Sequence, residues 1–216
     1  MSTDQEPDPH PDGGGIVRFA ELPLVPWRNG GGVTREVAVD GSGRQDFEWR
    51  ISIADVNVAG PFSPFPGIDR IITLLDGERM DLLIDGVEQV LGLHETLTFD
   101  GASQTACTLP FGPTRDLNVM TRRDRRSAVV TIADLSETRP ISVAVNGVLV
   151  LLNGSAIVTG ADGRRAELRP LDALCPTGPA VTTVVGSGRV AVVLIQSSGR
   201  AMHQVYRSGA DLQQGQ

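Results

Sequence analysis

Residues 27–36 run Trp27-Arg28-Asn29-Gly30-Gly31-Gly32-Val33-Thr34-Arg35-Glu36, and they concentrate groups suited to holding a small polar molecule. Arg28 is a permanent cation whose fork matches a carboxylate, and Asn29 both donates and accepts hydrogen bonds. Three successive glycines let backbone N–H groups come close to a partner at φ values other residues resist. Thr34 and Glu36 follow on what reads as a strand. The structural alternative is a tight glycine turn between two strands, with Arg28 and Asn29 solvated.

Three other stretches carry polar groups in a strand-like rhythm. In Arg115-Asp116-Leu117-Asn118-Val119-Met120-Thr121-Arg122, alternation puts Asp116, Asn118, Met120 and Arg122 on one face and Leu117 and Val119 on the other. In Phe47-Glu48-Trp49-Arg50-Ile51-Ser52-Ile53-Ala54, Arg50 and Ser52 share the less apolar face. If that face is interior, Arg50 needs an acidic partner, Glu36 or Asp116, or an acidic ligand. The proline-rich loop Gly60-Pro61-Phe62-Ser63-Pro64-Phe65-Pro66-Gly67 forms a rigid wall that presents Phe62. Asp69-Arg70, which follows, reads as a surface pair. Glu36 or Asp116 in a dry pocket has the chemistry of a general base.

Other chemistry is missing. The three histidines, His10, His94 and His203, form no His-x-His pair, so no metal site and no cofactor are expected. There is no Gly-x-Ser-x-Gly elbow, phosphate-binding loop or dinucleotide fingerprint. Cys107 and Cys175 are too few for a disulfide framework and read as small buried hydrophobes. A net charge of −7 over 216 residues, with one basic cluster at residues 122–126, argues against a nucleic-acid partner. No apolar run has the length of a membrane helix, and the acidic, Pro- and Gly-rich start is not a signal peptide. The expected location is therefore the cytoplasm. Residues 1–15 and 207–216 read as disordered tails.

The elements that must position these groups are short strands. Gly (25) and Pro (14) punctuate segments rich in Val, Ile, Leu and Thr, the pattern of an all-β sandwich or barrel. Val190–Ile195 reads as a strand buried on both faces, and only residues 133–138 hint at a helical turn. The two halves match at a constant offset of 77 residues. Leu74-Leu75-Asp76-Gly77 aligns with Leu151-Leu152-Asn153-Gly154, Asp85-Gly86 with Asp162-Gly163, Leu91 with Leu168, and Leu97 with Leu174. This predicts two similar β-units, residues 16–126 carrying a pocket and residues 127–206 mainly structural.

Taken together, Trp27-Arg28-Asn29-Gly30-Gly31-Gly32 with Thr34 and Glu36, the Phe47–Ala54 block, Gly60-Pro61-Phe62-Ser63 with Phe65-Pro66-Gly67, and Asp116–Met120 with Arg122-Arg123 resemble the HutD/Ves family. The resemblance implies a cupin-type β-barrel (jelly roll), duplicated in one chain. It also implies a link to bacterial histidine-utilisation operons, with the protein tuning that pathway by sensing an intermediate such as N-formylglutamate. The Ves branch is linked to cold and stress response. The paired histidines of the cupin metal motif are absent.

The expected function is therefore a metal-independent small-molecule binder, a regulator or accessory factor of amino-acid catabolism whose partner is a small acidic metabolite. Arg28, Asn29, Gly30 and Gly31 would hold a carboxylate or carbonyl. Thr34, Glu36, Asp116 and Asn118 would face the ligand, Arg50 or Arg122 would balance charge, and Phe62 would supply an apolar wall. The alternatives are a cofactor-free isomerase or hydrolase acting on a small acid, and a non-catalytic interaction module. A homodimer formed through sheet edges is compatible with the fold.

Overall fold

Almost every described segment is a strand, because β-branched and aliphatic residues alternate with turn formers throughout. The computed structural model describes residues 15–41, 46–179 and 181–198. The expected tails lie outside these residues except for Gly15, whose carbonyl accepts a hydrogen bond from the Cys175 N–H at 2.6 Å. Among the described residues the only helix is the single 3₁₀ turn Phe19–Glu21, and no helix is long and apolar enough to cross a membrane. The helical turn expected at residues 133–138 is not formed. Residues 133–135 continue the strand Arg126–Leu135, whose ladder to Thr182–Ser197 satisfies their backbone groups.

The strands form three sheets. A six-stranded sheet carries Val25–Pro26, Gly32–Gly41, Phe47–Val56, Thr114–Arg122, Ile68–Asp76 and Thr96–Asp100 in that spatial order. A four-stranded sheet carries Gly60–Pro61, Thr105–Thr108, Arg79–Ile84 and Val87–Gly92. A seven-stranded sheet contains the long strands Gly147–Thr159 and Thr182–Ser197, and Ile16–Val17 joins it by pairing with Ala173–Leu174.

The six-stranded sheet is buried on both faces. One face sends Val37, Ile51, Ile53, Ile71, Leu117 and Val119 against Val148, Val150, Ala191 and Val193 of the seven-stranded sheet. The other sends Val56, Ile72, Leu74 and Phe99 against Met80, Leu82, Leu91 and Cys107 of the four-stranded sheet. The alternation read for residues 116–122 therefore separates two interiors: Leu117 and Val119 enter the first, while Asp116, Asn118 and Met120 turn to the opposite face. The seven-stranded sheet encloses a further core of its own, built from Leu149, Leu151, Leu168, Val184 and Val190.

The offset of 77 residues reappears as geometry. His94 and Leu171 both adopt positive φ, 64° and 73°. Their N–H groups donate to the carbonyls of Leu74 and Leu151, at 2.8 and 2.6 Å. The return bonds, from the Leu74 N–H to Glu95 and from the Leu151 N–H to Asp172, also match. The same local turn thus serves both halves of the chain.

Candidate ligand-binding site

The glycine triplet builds a turn. Trp27 N–H donates to the Gly32 carbonyl at 2.9 Å and Gly30 N–H to the Trp27 carbonyl at 3.0 Å. Asn29 Oδ1 accepts the Gly31 N–H at 3.0 Å, which closes the turn from its side chain. Gly30 sits at φ 70°, where a side chain would be strained. A Cβ on Gly32 would lie 2.4 Å from the Asp55 carbonyl oxygen and 3.2 Å from the Trp27 ring, so glycine is required for that close approach. Two of the three glycine amides are thus committed inside the turn, and Arg28, Asn29 and Gly30 are exposed. What the turn positions is Trp27. Its indole N–H donates to Thr34 Oγ1 at 2.7 Å, and its ring meets Phe62 edge-on at 6.1 Å.

The charged centre of the interior is a residue the sequence reading left on the surface. Arg70 is only 5 % exposed, and its guanidinium is walled by Phe99, Phe62 and Phe65 at 5.0, 5.4 and 5.6 Å. It stands on the face of its strand that carries Ile72 and Leu74, whereas its neighbour Asp69 turns the other way and pairs with Arg123 at 2.7 Å. The adjacent letters Asp69-Arg70 concealed this split. A period of two along Ile68–Leu74 was the available signal. Among the described residues, Arg70 Nε makes no hydrogen bond, and neither do Asn118 Oδ1 and Thr114 Oγ1. Burial lowers the Arg70 pKa to about 10 despite the attraction of Asp116, and repulsion from Arg50 adds to the lowering.

Asp116 lies on the same face, 2 % exposed. Burial pushes its carboxyl up to about 7 against the attraction of Arg70, and Asp55 adds to the rise. Asp55 itself is held by Arg115 at 2.6 Å and Arg35 at 3.1 Å, and both guanidinium groups lie over the Phe19 ring. Asn118 and Ser52 are register partners on neighbouring strands, and both are buried. Arg50 pairs with Glu36 at 3.0 Å, one of the two partners foreseen for it.

Thr34, Glu36 and Arg50 also line an open cleft of about 710 Å³. Its other walls include Trp49, Val37, Val148 and Ile195. Val37, Val148 and Ile195 belong to the core between the six- and seven-stranded sheets. The structure thus groups Phe62, Asp116 and Asn118 around Arg70, and Thr34, Glu36 and Arg50 at the cleft. It leaves Arg28, Asn29 and Gly30 outside on the turn.

Arg122 belongs to a separate network. Its Nε donates to the Phe47 carbonyl at 3.2 Å and lies 3.9 Å from Glu48. The whole basic cluster is neutralised in this way. Arg125 and Arg126 also reach Glu48, and Arg123 bridges Asp69 and Asp100, which raises its own pKa and lowers that of Asp100. Cys107 and Cys175 are both free thiols, and burial raises their pKa values, that of Cys175 to about 12. Among the described residues, no three His, Cys, Asp or Glu side chains converge as a metal-holding group.

Known proteins resemble this chain in sequence and in fold. The family model HutD matches residues 20–194. A protein described as an uncharacterized 21.2 kDa protein in the hutC 3′ region of Pseudomonas putida is 36% identical over 154 residues, covering 70% of this chain and 80% of its own. Protein Ves of Citrobacter koseri is 43% identical over 122 residues, covering 55% of this chain and 63% of the Ves protein. Among solved structures, HutD from Pseudomonas fluorescens SBW25, in a formate condition, superposes with a TM-score of 0.71 at 31% identity, covering 85% of this chain and 98% of that one. A cupin 2 conserved barrel domain protein from Leptotrichia buccalis, 9% identical with a TM-score of 0.55 over 76% of this chain and 89% of its own, shares the fold alone. The chain is a member of the HutD/Ves family, all-β and cupin-like in fold.

Proposed function

We propose that this protein binds a small carboxylic acid, of the N-formylglutamate type, between the six- and four-stranded sheets, and serves as a regulator or accessory factor of histidine or amino-acid catabolism. The observation that carries the reading is Arg70. A guanidinium enclosed by three phenylalanines, with no hydrogen bond to its Nε among the described residues, is costly to bury unless an anion completes it. The unsatisfied Asn118 Oδ1 suits an amide N–H on the same ligand. Arg50 and Glu36 form the polar mouth, and Phe62 is the apolar wall. In this reading Arg70 takes the anion-holding role first given to Arg28.

The location of the Pseudomonas putida relative in the hutC 3′ region supports the link to histidine breakdown, and we place the protein in the cytoplasm with such metabolites. The recurrence of the His94 and Leu171 turns supports an internal duplication of a cupin-like unit.

Thermal unfolding against N-formylglutamate, urocanate, histidine and glutamate tests the proposal. A ligand at ~100 times its Kd adds about 2.7 kcal/mol, or roughly 5–11 °C at this chain length. The expected result is a shift with one acid that disappears in Arg70→Met. A shift that survives this substitution removes Arg70 from the site. One observation favours a second reading, a cofactor-free isomerase or hydrolase: the Asp116 carboxyl, at about 7, is poised for acid–base work. Conversion of a bound acid, followed by proton NMR and lost in Asp116→Asn while binding persists, would establish that reading.

A further inference from the structure

Asp116 is an unusual carboxylic acid to find in a protein interior. It is 2 % exposed, and Arg70 is the cation whose attraction it feels. The groups that face it come from every element packed around it. Arg70, on the strand Ile68–Asp76, attracts it, while Asp55, on the strand Phe47–Val56, repels it. Cys107, on the strand Thr105–Thr108 of the four-stranded sheet, is held as the neutral thiol chiefly by burial, and the Asp116 charge adds to this. Asn118 on its own strand brings an amide, and its neighbour Arg115 is committed to Asp55. On Gly32–Gly41 the nearest ionisable side chain of that face, Glu36, is paired with Arg50.

Arg70 and Asp116 attract one another, and Arg50, although paired with Glu36, still repels Arg70. With Asp116 ionised, its charge offsets that of Arg70 and weakens the pull on an entering anion. With Asp116 protonated, Arg70 is unopposed, and the carboxyl O–H becomes a donor for a ligand oxygen. An anion bound at Arg70 repels the ionised form of Asp116 and so strengthens its hold on the proton.

We propose that this interior takes up the carboxylate of its ligand together with one proton from solvent, Arg70 holding the anion and Asp116 the proton. The inference rests on the ligand-binding reading above. It makes Asp116 a determinant of ligand class: an acid that offers both a carboxylate and a neighbouring oxygen acceptor. The carboxyl keeps its proton on its own oxygen throughout, and no covalent bond is made or broken.

The test is calorimetry on the full chain with N-formyl-L-glutamate, whose carboxyls stay ionised throughout, at pH 6 and pH 8 and in two buffers of different ionisation heat. Wild type should bind about tenfold more weakly at pH 8 and take up close to one proton per site there. Asp116→Asn should bind equally at both pH values with no proton uptake, a result that a merely structural role would not produce. Binding by wild type that is independent of pH and of buffer overturns the coupling and leaves ligand binding intact. Absence of binding at either pH, in both proteins, overturns the ligand reading and the coupling with it. If Asp116→Asn fails to fold, a carboxyl-carbon NMR titration of ligand-free wild type decides. A midpoint near neutrality for Asp116 supports the proposal, and a midpoint in the ordinary carboxylate range overturns it.

Discussion

Where the six-stranded sheet buries Asp116 opposite Leu74, the seven-stranded sheet buries Val190 opposite Leu151. The correspondence continues along the strands. Asn118 faces Ile72 as Val192 faces Leu149, and Arg70 faces Met120 as Gly147 faces Leu194. Each ladder shifts register at the same place, beside Arg115 in one and Arg189 in the other. One strand geometry thus encloses a charged centre in the six-stranded sheet and a continuous apolar core in the seven-stranded one. The difference teaches what the fold itself requires. The seven-stranded sheet is the ordinary packing solution. The six-stranded sheet accepts buried groups that cost about 1–3 kcal/mol each when unsatisfied, and such a cost points to use.

Substitutions that exchange the two interiors test this contrast most directly. Val190→Asp places a carboxylate in the apolar core with Leu149, Leu151, Leu168 and Val184, so a loss of about 3–5 kcal/mol is expected in urea unfolding. Leu151→Ala, at a site with 0 % exposure, should cost about 2–5 kcal/mol through the cavity it leaves, without altering ligand affinity.

The reverse exchange should stabilise. The native Asp116 carboxyl holds its proton to about pH 7, whereas the unfolded chain releases it near pH 4. Its contribution is therefore most favourable below that lower value and is lost as pH rises through the native one. Asp116→Asn should gain about 1–3 kcal/mol at pH 8 and much less at pH 5, as read by denaturant midpoints at the two pH values. A gain that is larger at pH 5 would contradict the burial argument.

The smallest effect is expected outside the interior altogether. Asn29→Ala removes the bond to the Gly31 N–H and should cost about 0.5–1 kcal/mol, and Arg28→Ala should leave both unfolding and affinity unchanged. A loss of affinity in Arg28→Ala would return the anion-holding role to the turn.

Much of this is legible in the sequence. Alternation along residues 47–54 and 115–122 separates the polar from the apolar faces, because a strand has a side-chain period of two and one buried face enforces it. The offset of 77 residues located the matching turns, because a positive-φ turn leaves a local signature. The glycine triplet misled in one respect. Its residue types suit anion binding, yet the hydrogen bonds that decide the matter are made by Asn29 and Trp27 within the turn itself. Arg70 was passed over because sequence neighbours are not spatial neighbours in a strand. Asp69 beside it faces Arg123 on the opposite side.

The sequence by itself determined the all-β class, the repeated turns, the family and the polar strand face, since each follows from local periodicity or from a contiguous motif. Only the tertiary structure decided that the six-stranded sheet is covered on both faces. That arrangement turned the polar face of Thr114–Arg122 from a wet edge into an interior. It also decided which cation lies there. Pairing Glu36 with Arg50 across one strand boundary, and enclosing Arg70 with three phenylalanines from a loop and a neighbouring strand, depends on contacts far apart in sequence. No local pattern encodes such contacts, because their energies arise only when burial removes water from all of these groups at once.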